Sequence, residues 1–276
     1  MLWKTRTRTF DLTSRGLVMG VLNVTTDSFS DGGCFFDPAR AVDHAHQMAD
    51  DGAEIIDIGG ESTRPGAEPV PEEEELRRVL PVIDRLAGDS RFVISIDTMK
   101  PGVARAAIEH GAAIVNDVSG LGDEAMRAVV RDSGAGAIIM HMQGTPRTMQ
   151  VSPKYEDVTS EIGNFFRHRL EACVRFGMDV KCLAFDPGVG FGKTVAHNLA
   201  LLKNLESMRV GHRPLVLGVS RKSFLGKIVD SPTEARLWPT VALTSYGRSH
   251  GASVFRVHDV RPNTESLRMT EAILSA

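Results

Sequence analysis

The stretch FVISIDTMKPGVARAAIEHGAAIVND (Phe92–Asp117) decides the architecture. Phe92–Ile96 is a short run that is apolar on both faces, as a buried parallel strand is. Val103, Ala106, Ala107 and Ile108 then recur at helical spacing until Gly111 stops them, and Ile114–Asn116 turns apolar again. Strand, outer helix and strand therefore follow one another directly, which is a βα unit feeding the next strand. The same alternation continues outward in both directions. Val18–Leu22 and Glu54–Ile58 precede it, and Ala137–Met140, Cys182–Phe185, Leu215–Val219 and Val254–Val257 follow. Between the first two lies the helical face Ala41, Val42, Ala45, Met48 and Ala49, closed by Gly52. Eight such units are the number a closed (β/α)8 TIM barrel needs, and chains of about 250 residues fold in this way as one domain. An open doubly wound sheet is the rival, but the GxGxxG that marks its nucleotide-binding form is missing after the first strand. The expectation is a single barrel domain over residues 1–276.

Local features are assigned on the same footing. Glu72–Glu75 after Pro71 reads as a solvated first helical turn, where the macrodipole favours acids, with no catalytic role. Pro81 and Pro239 fall inside helical patterns and are expected to kink or split them. Lys and Arg total 32 against 35 Asp and Glu, a net charge of -3 that provides neither a basic field for nucleic acid nor a cationic face for a membrane. Cys34, Cys173 and Cys182 are scattered, without CxxC or zinc spacing, which fits a reduced cytoplasmic setting. The opening MLWKTRTRTFDL lacks the apolar run of a signal peptide, and no stretch approaches the roughly 18 apolar residues of a membrane span.

In a barrel the chemistry sits at the C-terminal ends of the strands. Nearly every strand here ends in a polar group: Asn23, the loop GGESTRPGA (Gly59–Ala67), Asp97, Asn116 with Asp117, His141, Asp186, the loop SRKSFLG (Ser220–Gly226), and Arg256 with His258. Singly, each has a plain structural explanation. Asp97 and Asp186 suit caps or turns, Asn116 suits a strand end, and His141 between two methionines suits a satisfied core histidine. Together they put acid and amide groups on strands three, four and six opposite cationic groups on strands seven and eight. Asp and Asn match the donor and acceptor edge of a planar heterocycle, while Arg256, His258 and Lys222 offer positive charge to phosphate or carboxylate. The residues alone point to an enzyme or binder for a polar ring bearing an anionic group.

At these residues the sequence resembles the dihydropteroate synthases. The resemblance runs from about Leu17 to Ile273 through MGVLNVTTDSFSDGG (Met19–Gly33), DIGGESTRPGA (Asp57–Ala67), SIDTMKPGVARAAIEHGAAIVNDVSG (Ser95–Gly120), FDPGVGFGKTVAHNLALL (Phe185–Leu202), SRKSFLG and RVHDV (Arg256–Val260). Thr26 stands where the family often has Pro, and Leu237–Gly247 is less typical. The resemblance implies a pterin pocket of Asp97, Asn116, Asp186 and Lys222 with Arg256 beside the ring. It implies a diphosphate set of Asn23, Thr63, Arg256 and His258, with Asn23 also reaching Mg2+. It places p-aminobenzoate among Phe29, Pro65, Phe191, Lys222 and Ser223, a pocket that sulfonamides would share. Asp97, Lys222 and Arg256 are the groups it puts in the reaction itself, with Asp97 supporting a cation left by departing pyrophosphate. A cytoplasmic homodimer built through outer helices is expected. Three other readings compete: a methyltetrahydrofolate:corrinoid methyltransferase, a silent pterin-binding paralogue, and an aldolase using Lys222 as a Schiff base beside Arg221. The anion-binding SRKSFLG and RVHDV segments argue against the first.

Overall fold

The computed structural model describes residues 1–25, 37–64 and 66–276. It opens with an antiparallel hairpin that the sequence reading left unassigned, β1 (Leu2–Lys4) paired with β2 (Thr9–Asp11). Trp3 of this hairpin is completely buried, and its indole Nε1 donates to the Cys182 carbonyl at 2.9 Å. With Phe10 and Leu12 it packs on the first inward-facing residues of the barrel, Met19, Ile55, Val93, Ile138 and Val254 among them. The hairpin thus plugs the N-terminal end and leaves the opposite mouth for chemistry.

Eight parallel strands form the expected (β/α)8 barrel: β3 (Leu17–Asn23), β4 (Ile55–Gly59), β5 (Val93–Asp97), β6 (Ile114–Asp117), β7 (Gly136–Met140), β8 (Leu183–Asp186), β9 (Val216–Leu217) and β10 (Val254–Val257). Seven match the sequence expectation to within one residue at each end. The seventh barrel strand, β9, is shorter than expected, because past Leu217 the chain leaves the ladder and turns, Lys222 N bonding Val219 O, to carry Ser220–Lys222 into the mouth. Closure onto β8 runs through the single bridge Phe185–Leu215.

Strand periodicity explains where polarity sits. Side chains at alternate positions face the interior, so Ile55 is followed inward by Asp57, Val93 by Ser95 and Asp97, Ile114 by Asn116, Ala184 by Asp186, and Val254 by Arg256. The outward set, Ile56, Ile58, Ile94, Ile96, Val115, Leu183, Phe185, Phe255 and Val257, belongs to the core between sheet and helices. The lower barrel is therefore apolar, and its upper layer is a ring of buried charge and amide.

The surrounding helices are α1 (Pro38–Asp50), α2 (Glu72–Leu86), α3 (Pro101–Glu109), α4 (Glu124–Ser133), α5 (Val158–Arg175), α6 (Val195–Lys203), α7 (Ser223–Val229), α8 (Leu237–Ser249) and α9 (Val260–Leu274). Their starts follow capping chemistry: Asp37, Asp123 and Asp157 accept from amides of the first turn, and Pro38 and Pro101 open helices where no amide proton is required. Of the kink or split expected at Pro81 and Pro239, the split does not occur. Pro81 lies within a continuous α2, and Pro239 falls in the first turn of α8, where its missing N–H is not needed. Among the described residues no helix is long and apolar enough to cross a membrane. Cys173 and Cys182 are buried free thiols, while Cys34 and Thr26 lie outside the described residues.

One expectation is corrected at α2. Glu72–Glu74 face solvent in whole or part, but Glu75 is completely buried, accepting from Lys100 Nζ at 2.5 Å. The same ammonium binds Glu61, and Arg78 Nη1 donates to the Gly60 carbonyl at 2.9 Å. Helical periodicity turns the fourth glutamate of the run inward, where it helps tie down the base of the GGESTRPGA loop.

Candidate active site

The centre of the mouth is Arg256, carried up by β10. Its Nε donates to Asp57 Oδ2 at 2.6 Å and its Nη2 to Asp97 Oδ2 at 2.6 Å. Asn116 Nδ2 joins the network, donating to the same Asp57 oxygen at 3.0 Å. Burial works against the charged guanidinium, but Asp57 and Asp97 outweigh it and raise its pKa above the ordinary arginine value. Asp57 Oδ1 and Asp97 Oδ1 are buried without a hydrogen-bond partner among the described residues. Such acceptors are costly to leave unmet, and a ligand with N–H groups would satisfy them. Burial pushes the Asp97 carboxyl up to about 7, with Arg256 opposing and Asp57 adding to the rise.

On the other side of Arg256, Asp186 accepts from Gly188 N at 2.7 Å, and burial raises its carboxyl against the opposing charge of Lys222. Gly218 lies between them: a Cβ there would come within 3.6 Å of Asp186 Oδ2 and 3.9 Å of Arg256 Cβ. Lys222 is pushed down to about 8 by burial, with Asp186 opposing and Arg256 adding. Its ammonium donates to the Val189 carbonyl and sits 4.5 Å from the Phe191 ring centroid, a cation–π contact. Ser223 follows at the exposed start of α7.

His258, just beyond β10, meets Ser220 Oγ through both its backbone N (3.1 Å) and its ring Nδ1 (3.0 Å). Burial, then Arg256 and Arg221, push it down to about 4. It is thus neutral at pH 7 in the ligand-free protein, not the ready-made cation expected from the sequence. Arg64, on the GGESTRPGA loop with Thr63, is near enough for its charge to contribute to that depression. Asn23 ends β3 beside Gly59 and is half-buried.

The structure therefore gathers Asp97, Asn116, Asp186, Lys222, Arg256, His258 and Phe191 at one mouth, with Asn23, Thr63 and Ser223 on its loops and strand ends. Phe29 and Pro65 lie outside the described residues. His141 is satisfied, as its bland reading expects, through Lys193 Nζ at 3.1 Å. Arg221 is engaged by Asp259 at 3.0 and 2.5 Å, so it does not act on Lys222 and the aldolase reading loses its support. Sequence reasoning missed Asp57 and Lys193. The signal for Asp57 was an acid inside a strand otherwise apolar on both faces, whereas nothing local marks Lys193 as buried. Among the described residues no three acidic, His or Cys side chains form a metal cluster.

The chain is similar to known proteins over nearly its whole length. Residues 19–258 match the family described as pterin binding enzyme. The dihydropteroate synthase of Escherichia coli (strain K12) is 44% identical over 259 residues, covering 94% of this chain and 92% of the relative. That of Synechocystis sp. is 42% identical over 266 residues, covering 96% and 92%. Among solved structures, the Yersinia pestis dihydropteroate synthase in a sulfonamide drug complex superposes with a TM-score of 0.94 at 43% identity, covering 100% of both chains. The Xanthomonas albilineans enzyme with 4-aminobenzoic acid superposes at 0.93 and 40%, covering 100% of this chain and 98% of the other. The same organism's enzyme in complex with 7,8-dihydropteroate gives 0.89 and 37%, covering 100% of both. The chain belongs to the dihydropteroate synthase family of pterin-binding enzymes.

Proposed function

We propose that the protein, as a single-domain enzyme, joins 6-hydroxymethyl-7,8-dihydropterin diphosphate to p-aminobenzoate, giving 7,8-dihydropteroate and pyrophosphate. The observation that carries this reading is the Arg256 network, in which one guanidinium is held between Asp57 and Asp97 with two carboxylate oxygens left for a ligand. Asp97, Asn116 and Asp186 present acceptors, and Asn116 and Lys222 donors, to a pterin edge. Arg256 flanks the ring and, with Asn23, Thr63 and His258, faces the diphosphate. Phe191 walls the arylamine ring, and Lys222 and Ser223 take its carboxylate.

In the reaction the methylene C–O bond breaks and its electron pair leaves with pyrophosphate. The resulting cation is conjugated with the dihydropterin, so the route is SN1-like and needs electrostatic support more than a strong base. Asp97, once ionised beside Arg256, supplies that support. The neutral arylamine nitrogen forms the new C–N bond and loses its extra proton to water or phosphate. Asn23 offers one hard amide oxygen, and this residue would be the protein's ligand to a Mg2+ ion. Bound there, the ion would neutralise charge on the leaving group.

Exposed Trp238, Met269, Ile273 and Leu274 on α8 and α9 support a homodimer through these outer helices, and the free thiols Cys173 and Cys182 fit the reducing setting of a cytoplasm. The test of function is release of pyrophosphate and formation of dihydropteroate from the diphosphate substrate, with and without p-aminobenzoate. Product that requires both substrates is expected. Tight binding of both with no pyrophosphate released would leave a silent binder instead.

A further inference from the structure

Lys193 is only 3% exposed, yet among the described residues no carboxylate lies within ion-pairing distance of its ammonium. All its acceptors are uncharged: the Phe191 carbonyl at 2.8 Å, His141 Nδ1 at 3.1 Å and the His141 carbonyl at 3.4 Å. Burial, together with the charge of Lys193, pushes His141 down to about 3, so its neutral ring accepts at Nδ1 and the ammonium donates. Burial, with the charge of Lys222 adding, pushes Lys193 down to about 7 against the more distant charge of Asp186, so an amine this deep among uncharged acceptors is costly to keep charged. Its placement explains what it secures.

Lys193 ends a loop built on alternating glycines. Gly188, Gly190 and Gly192 adopt φ of +63°, +85° and +62°, and a Cβ at Gly188 would lie 1.9 Å from the His141 carbonyl. Neutral donors pin two of the loop carbonyls, Gln150 Nε2 on Gly190 at 2.7 Å and Tyr155 Oη on Gly192 at 2.9 Å. The carbonyl of Phe191, the loop's one aromatic residue, goes instead to the buried ammonium. Lys222 meets the face of the same ring. Phe191 is thereby held by one lysine through its backbone and by another through its ring.

We propose that Lys193 is a positioning residue for the arylamine site: by binding the Phe191 carbonyl and anchoring to His141, it sets where the Phe191 ring stands relative to Lys222. This rests on the reading of Phe191 as a wall of the p-aminobenzoate pocket. Lys193 itself touches no substrate.

The experiment is steady-state kinetics with both substrates on Lys193→Met, Phe191→Ala and the double variant. Lys193→Met should raise the KM for p-aminobenzoate about tenfold, while kcat and the KM for the pterin diphosphate stay within about twofold. In the Phe191→Ala background the same change should add little, because the group through which Lys193 acts is gone. Lys193→Gln, which keeps a donor, should recover most of the loss. Fully additive effects, a fall confined to kcat, or an unchanged KM would each overturn the proposal. Should Lys193→Met not fold, His141→Leu serves as the second variant. It removes one acceptor from the same ammonium and should raise the same KM about threefold with kcat unchanged, and no rise would count equally against the idea. If Phe191→Ala alone leaves the p-aminobenzoate KM unchanged, the pocket reading itself has failed and this inference falls with it, a result distinct from failure at Lys193.

Discussion

Asp57 holds Arg256 from inside the barrel, its Oδ2 accepting from Arg256 Nε at 2.6 Å and from Asn116 Nδ2 at 3.0 Å. Because the other arm of the guanidinium is bound to Asp97, one arginine is fixed between two carboxylates before any ligand arrives. Groups held in this way need no reorganisation when charge develops in the reaction, which is what makes them effective. Asp57 therefore acts through Arg256 and Asn116, as a positioning residue.

That relationship predicts a pH effect. Burial raises the Asp97 carboxyl, Arg256 lowers it, and the charge of Asp57 raises it further. Asp57→Asn removes the last contribution, so the Asp97 pKa should fall. With ionised Asp97 as the active form, the acidic limb of the kcat/KM profile should move to lower pH by about one unit. A limb that stays in place or moves upward would contradict the assignment.

Asp97→Asn keeps the shape of the group but removes its charge. The kcat should fall about 100-fold, while affinity for the unphosphorylated pterin alcohol changes by no more than about threefold. Rapid-quench turnover and a binding titration separate the two effects. Near-normal turnover would remove Asp97 from the reaction.

His258 is held neutral at pH 7 by burial and by neighbouring arginines. An anion beside it favours the protonated ring, so pyrophosphate with Mg2+ should bind at pH 6 with net proton uptake, and the affinity should weaken as pH rises. Calorimetry in buffers of different ionisation enthalpy measures the protons taken up. His258→Asn should abolish most of that uptake. Equal uptake in both proteins would place the anion elsewhere.

Sulfonamides carry an arylamine opposite a polar, partly anionic group, and the Yersinia pestis relative has been solved in a sulfonamide drug complex. Inhibition should be competitive with p-aminobenzoate at saturating pterin diphosphate and should strengthen once pyrophosphate and Mg2+ are bound. A bulkier residue at Pro65 should weaken the inhibitor more than the substrate, because the sulfonyl substituent extends past the substrate volume. A noncompetitive pattern in the inhibition kinetics would show that the pocket has been misassigned.

The barrel and the polar character of its mouth were legible in the amino-acid order. Both follow from short-range periodicities, 2 along a strand and 3.6 along a helix, so Phe92–Ile96, the Val103–Ile108 face and Ile114–Asn116 could be recognised without knowing what lay beside them. The same locality explains why Asp97, Asn116, Asp186 and Arg256 stood out as strand-end residues. The hairpin at Trp3 escaped, since three-residue strands carry too little pattern and their burial comes from a barrel end formed by other segments. The electrostatics, by contrast, arise from the packed fold. Asp57 and Arg256 are 199 residues apart and meet because barrel closure sets β10 against β3, next to β4. Glu75 became a buried partner of Lys100 instead of a solvated cap, and His258 proved neutral. The charge of a group depends on how far it is withdrawn from water and on which charges surround it. Both are properties of the packed barrel, fixed only when distant strands come together.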